Sequence, residues 1–171
     1  SGLPLTLTVN GTTGYRIVIP QEPAPQDEKA AELLGRWLKE ITGAVFRVIR
    51  ENEYGSDSGK VISIGRTGLF LSLSIASAVE DLKEEGYGIA AAGERLFLWG
   101  GKKRGSINAA LALLEEDLGC RWYTKDEYRA PRLPNLVLSP VPRTYIPQLR
   151  LRDPFYYTSF NSYWSLMNRT N

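Results

Sequence analysis

The chain has 171 residues, the length of one domain with room for an appendage. Its hydrophobic content of 43% excludes wholesale disorder, and 21 basic against 19 acidic residues argue against nucleic acid or an anionic membrane as the main partner. With no histidine and one cysteine, a Ser/His/Asp triad, a His-based metal site and an internal disulfide are excluded, so no metal or cofactor is expected.

In chain order, Ser1-Gly2 reads as a trimmed start, and no run approaches the roughly 20 apolar residues of a membrane span. Leu3, Leu5, Leu7 and Val9 alternate with small or polar residues, which predicts a half-buried strand. A turn at Asn10–Gly14 leads to a second strand at Tyr15–Ile19, and the two are expected to form a hairpin. Three prolines make Pro20–Gln26 a loop. A helix is predicted from Asp27, with Ala30, Leu34, Trp37, Leu38 and Ile41 on its apolar face and Thr42-Gly43 at its end. Strands follow at Val45–Ile49 and Val61–Ile64, separated by a polar loop. Leu69–Ala78 is apolar and fits either a helix or a strand.

Tyr87–Ala92 and Arg95–Trp99 flank Gly93-Glu94, the signature of a type II′ hairpin. After the basic turn Gly100–Arg104, a helix opens at Gly105-Ser106 and carries Ile107, Leu111, Leu114 and Leu118 on one face. Gly119 closes it, and Cys120–Tyr123 leaves as a short strand. Five prolines between 131 and 147 leave room for one short strand, Leu136–Leu138. Residues 148–171 are rich in aromatics and arginine but too few for a core of their own.

Several groups of residues invite a chemical reading. The turn Gly100–Ser106 combines glycines, cations and a helix start, which is the chemistry of a phosphate or nucleotide site. Yet it has neither the Walker nor the dinucleotide spacing, so a solvated loop is expected. Glu84-Glu85, Glu115-Glu116-Asp117 and Asp126-Glu127 offer carboxylates for glycoside hydrolysis, but adjacent residues on a helix diverge, and solvated faces are expected. Cys120 has no histidine to act as its base and reads as a small buried hydrophobe. A carbohydrate-binding module needs exposed coplanar rings, whereas Trp37, Trp99 and Trp122 fall on expected core faces.

The run Gly105–Tyr123, ending in Leu118-Gly119-Cys120-Arg121-Trp122-Tyr123, resembles the last helix and exit strand of the small α/β domain that precedes the catalytic barrel in several glycoside hydrolases. The resemblance is to the family 67 α-glucuronidase-like N-terminal domain and to bacterial relatives of unknown specificity. The second domain of family 20 β-hexosaminidases is a more distant likeness. It implies an α/β (α+β) two-layer sandwich, a mixed sheet with the Asp27 and Ser106 helices on one face, over residues 1–145, with 146–171 as the start of a (β/α)8 barrel. In the resembled enzymes this domain holds no catalytic residue.

Pro147–Arg152 resembles the first barrel strand of family 20 enzymes, which puts Arg152 at the position of an arginine holding the terminal sugar. Trp164, Asn168 and Asn171 match a Trp…Asn-Arg-x-Asn stretch found early in the barrel of the relatives, with Met167 where an arginine is common. The resemblance thus implies a non-catalytic partner of its own C-terminal barrel, contact with carbohydrate through the parent enzyme, and a periplasmic or extracellular setting.

Overall fold

In the computed structural model of this protein, the described residues are 4–55, 59–73, 86–101, 103–124, 126–140 and 142–145. A mixed six-stranded sheet forms the centre. It contains β2 (Arg16–Ile19), β3 (Arg47–Arg50), β4 (Val61–Ile64), β5 (Tyr87–Ala92), β6 (Arg95–Gly100) and β10 (Arg143–Tyr145), in the order β10-β5-β6-β4-β2-β3. Strands β3, β2, β4 and β6 run parallel, and β5 and β10 run antiparallel to their neighbours.

Two helices cover one face. Helix α1 (Pro25–Thr42) buries the expected stripe of Ala30, Leu34, Trp37, Leu38 and Ile41, and Gly43 stops it with φ 80°. Helix α3 (Gly105–Ala112) is buried nearly all round, because Ala109, Ala110 and Ala112 let α1 and the sheet approach together. It continues as a π-helical turn, Leu113–Asp117, and Gly119 ends it with φ 76°. These helices share one core with Ile17, Ile19, Ile62, Ile64, Leu96 and Leu98 of the sheet. The two-layer α+β sandwich expected from the sequence is the observed architecture.

The other face carries two smaller clusters. The short helix α2 (Gly68–Leu71) sets Phe70 against Ala90, Phe97 and Trp99. Tyr54 and Leu69 lie on Val18, Ile49 and Val61. The β5–β6 hairpin forms as expected, with Gly93 at φ 61° and no positive φ at Glu94, as a type II′ turn requires.

Three expectations are corrected. The first strand, β1 (Leu5–Thr6), does not form a hairpin with β2. It pairs antiparallel with β9 (Val137–Leu138), because Leu5 and Leu138 together close the end of the helical core. The proline-rich stretch holds two strands rather than one: its prolines flank β9 and β10 without interrupting them, and β10 joins the main sheet beside β5. The acidic run after α3 is not simply solvated. Asp117 is half-buried and binds Arg143 of β10 at 2.6 Å, with Glu116 at 3.1 Å, so it ties the edge strand to the helix end. A further pair, β7 (Arg121–Trp122) with β8 (Tyr128–Arg129), carries Trp122 over Trp37. Leu69–Ala78 is helical over Gly68–Leu71, and residues 74–78 lie outside the described residues.

Candidate functional site

In open α/β sheets, ligands gather at the carboxyl ends of parallel strands, where helix N-termini point. Here that edge is formed by the ends of β2, β4 and β6 and the starts of α1, α2 and α3. The chain fills it with its own polar side chains.

Helix α1 begins at Pro25, whose missing N–H costs nothing at this position. Its N-cap, Ala24, has no side-chain acceptor, so the carboxylate of Asp27 reaches back and accepts from the Ala24 N–H at 3.1 Å. The same carboxylate accepts from the Ser106 hydroxyl at 2.8 Å, at the start of α3. Gln26 completes the junction: its amide nitrogen donates to the Gly101 carbonyl at 2.8 Å, and its amide oxygen accepts from the Ser106 N–H at 2.9 Å. Asp27 and Ser106 are buried, and burial pushes the Asp27 carboxyl above its ordinary range. The hydrogen bonds from Ser106 and Ala24 oppose that rise, and the nearby charge of Glu28 adds to it.

Glycines make this packing possible. A Cβ on Gly65, which has φ 85°, would sit 2.6 Å from an Asp27 carboxylate oxygen. A Cβ on Gly105 would lie 2.3 Å from the Gly86 carbonyl oxygen and 2.4 Å from the Gly100 Cα. The turn after β6 therefore folds flat on the backbone, with Gly101 and Gly105 buried. Helix α2 has its own carboxylate: Glu51 accepts from the Gly68 N–H and, at 3.2 Å, from the Gln21 N–H. The Thr67 hydroxyl accepts from the Phe70 N–H at 3.1 Å.

The solvated loop expected at Gly100–Ser106 is instead partly buried, at Gly101, Gly105 and Ser106, and the place a phosphate would take at the start of α3 is occupied by Asp27 and Gln26. Sequence reasoning passed over Asp27 as a junction. The available signal was half a capping box, Pro25 at the first helical position and an acid two residues on.

Of the other expected residues, Cys120 is buried, and its thiol is pushed up to about 12, by burial first and by Glu115 second. Trp37, Trp99 and Trp122 are all buried, so no tryptophan platform faces solvent among the described residues. Glu115 is half-buried, and burial raises its carboxyl too. Glu84 and Glu85 lie outside the described residues, as do Arg152, Trp164, Asn168 and Asn171. Among the described residues, no cluster of three or more acidic, cysteine or histidine side chains is arranged to hold a metal ion. No described helix is long and apolar enough to cross a membrane.

By class, the chain is an α/β protein with two helices on one face of a mixed sheet. No protein-family model matches it, and no curated protein matches it. Among solved structures it is similar to a GH138 enzyme targeting pectin rhamnogalacturonan II, at 16% identity and a TM-score of 0.40. The alignment covers 60% of this chain and 10% of that enzyme's chain.

Proposed function

We propose that this chain is a non-catalytic accessory domain of a glycoside hydrolase acting on a polysaccharide or glycan, which supports a following catalytic barrel. The observation that carries the reading is the closed carboxyl edge of the sheet. Asp27, Gln26 and Glu51 occupy the positions where an α/β domain with chemistry of its own would receive a ligand. The resemblance at Gly105–Tyr123 supplies the enzyme class. In this reading residues 1–145 are the accessory domain and 146–171 begin the barrel. Arg152, Trp164, Asn168 and Asn171 then belong to the sugar site of the parent enzyme, and the protein works in the periplasm or outside the cell.

Two assays test this. The 171-residue chain, offered aryl-glycosides that include a glucuronide and an N-acetylglucosaminide, is expected to turn over none of them. Turnover abolished by changing a single Asp or Glu would overturn the accessory role. In a protein that carries the barrel, Arg152→Ala is expected to lower turnover while folding is kept. Unchanged kinetics would remove Arg152 from the site.

A further inference from the structure

At the opposite edge of the sheet, the strand starts carry positive charge. The register sets Arg16 of β2 beside Arg47 of β3 on one side and Val61 of β4 on the other. One residue back from the Ile62–Leu96 pair, it sets Arg95 of β6 beside Val61. Alternation decides the face. Val18, Ile49 and Phe97, each two residues further along, belong to the clusters on the side away from α1 and α3. Arg16, Arg47 and Arg95 therefore emerge together on that side. With strands about 4.8 Å apart, the row spans about 14 Å. Lys60 adjoins it, its carbonyl accepting from the Arg16 N–H at 3.4 Å.

Arg16, Arg47 and Lys60 are exposed and Arg95 is half-buried. Among the described residues, no carboxylate lies within ion-pair distance of any of the four. Three other arginines of the domain are matched: Arg50 with Glu28, Arg132 with Glu40, and Arg143 with Glu116 and Asp117. Like charges on adjacent strands repel, so the row works against folding. Protection of an open sheet edge accounts for Arg47 alone, because β2 and β6 are interior strands.

We propose that this row binds the carboxylates of an acidic polysaccharide lying across the strand starts. The inference rests on the reading of the chain as part of a carbohydrate-active enzyme. Guanidinium forks pair with carboxylates through two parallel hydrogen bonds, which neutral sugars do not offer. A protein partner would need an apolar anchor at the centre of the patch, but Val61, between Arg16 and Arg95, is fully buried. Nucleic acid calls for a basic excess, which a net charge of +2 does not supply.

The test uses the 171-residue chain in affinity electrophoresis at low salt, with polygalacturonate, dextran or duplex DNA in the gel. Retardation is expected with polygalacturonate, weakening as salt rises, and not with dextran or DNA. Arg16→Glu with Arg47→Glu is expected to weaken binding by about tenfold or more. Arg66→Glu with Arg129→Glu makes the same change in net charge elsewhere on the surface and is expected to leave binding within about twofold. Circular dichroism of both double variants establishes that they are folded. Arg16→Gln with Arg47→Gln is the second variant should charge reversal unfold the chain. Absence of retardation, equal loss in both double variants, or equal retardation by DNA would overturn the proposal. Each of these leaves the accessory role standing, since that role is judged by the glycoside assay.

Discussion

The carboxylate of Asp27 and the hydroxyl of Ser106 meet at 2.8 Å although 79 positions separate them in the chain. This one hydrogen bond joins the starts of the two main helices, and the same carboxylate also caps α1 through the Ala24 N–H. The dipoles of α1 and α3 are therefore answered by one internal negative charge rather than by a ligand.

Asp27→Ala is expected to cost about 2–4 kcal/mol, from the lost cap on the half-buried Ala24 N–H and the buried Ser106 hydroxyl left unpaired. Urea denaturation measures it. A loss below about 0.5 kcal/mol would mean that water replaces the carboxylate there.

The pH dependence follows from the raised Asp27 carboxyl. A folded-state value above the unfolded one means that the fold favours the protonated form. That stability is fully present below the unfolded value and is lost as pH rises through the folded value. Relative to Asp27→Asn, the native protein is expected to lose ground as the pH climbs out of the ordinary carboxylate range. Denaturation of both proteins across a pH series checks the sign, and a constant or opposite difference would refute it.

Gly65→Ala should be costly for two reasons at once. The backbone lies at φ 85°, and the new methyl would press on Asp27 at 2.6 Å. A loss of about 2–4 kcal/mol is expected, against about 1 kcal/mol for positive φ alone. Combining it with Asp27→Ala, which removes the clash, should recover part of the loss. Strict additivity would show that the two positions do not touch.

Trp122→Ala is expected to destabilise by about 3–5 kcal/mol. Trp122 is buried and meets Trp37 edge-on at 5.2 Å, and its indole N–H makes no hydrogen bond among the described residues, so the loss is one of packing. Chemical denaturation decides, and a loss under 1 kcal/mol would show an exposed side chain.

The Cys120 thiol, buried and pushed up to about 12, should resist iodoacetamide at pH 8 in the native protein and react once unfolded. Comparable labelling rates in the two states would refute the burial.

Local pattern alone determined much of this protein. The 3.6-residue recurrence of Ala30, Leu34, Trp37, Leu38 and Ile41 specifies α1, and the glycines at 43 and 119 end α1 and the α3 segment, because both signals act within a turn or two of helix. Gly93-Glu94 likewise specifies its hairpin. Partners at long range were decided only by the tertiary structure. Period-two alternation identifies Leu5 and Leu7 as strand residues with a buried face, but it says nothing of which strand lies alongside. The choice of Leu138 over the nearby β2 came from closing the core end. The same holds for the proline-rich segment, where β10 exists because β5 offers an edge. The Asp27–Ser106 junction and the row of Arg16, Arg47 and Arg95 are likewise products of register and close glycine packing. Beyond the half capping box at Pro25 and Asp27, charge and spacing along the chain do not specify them, because each brings together residues from separate elements whose approach is set by burying one shared core.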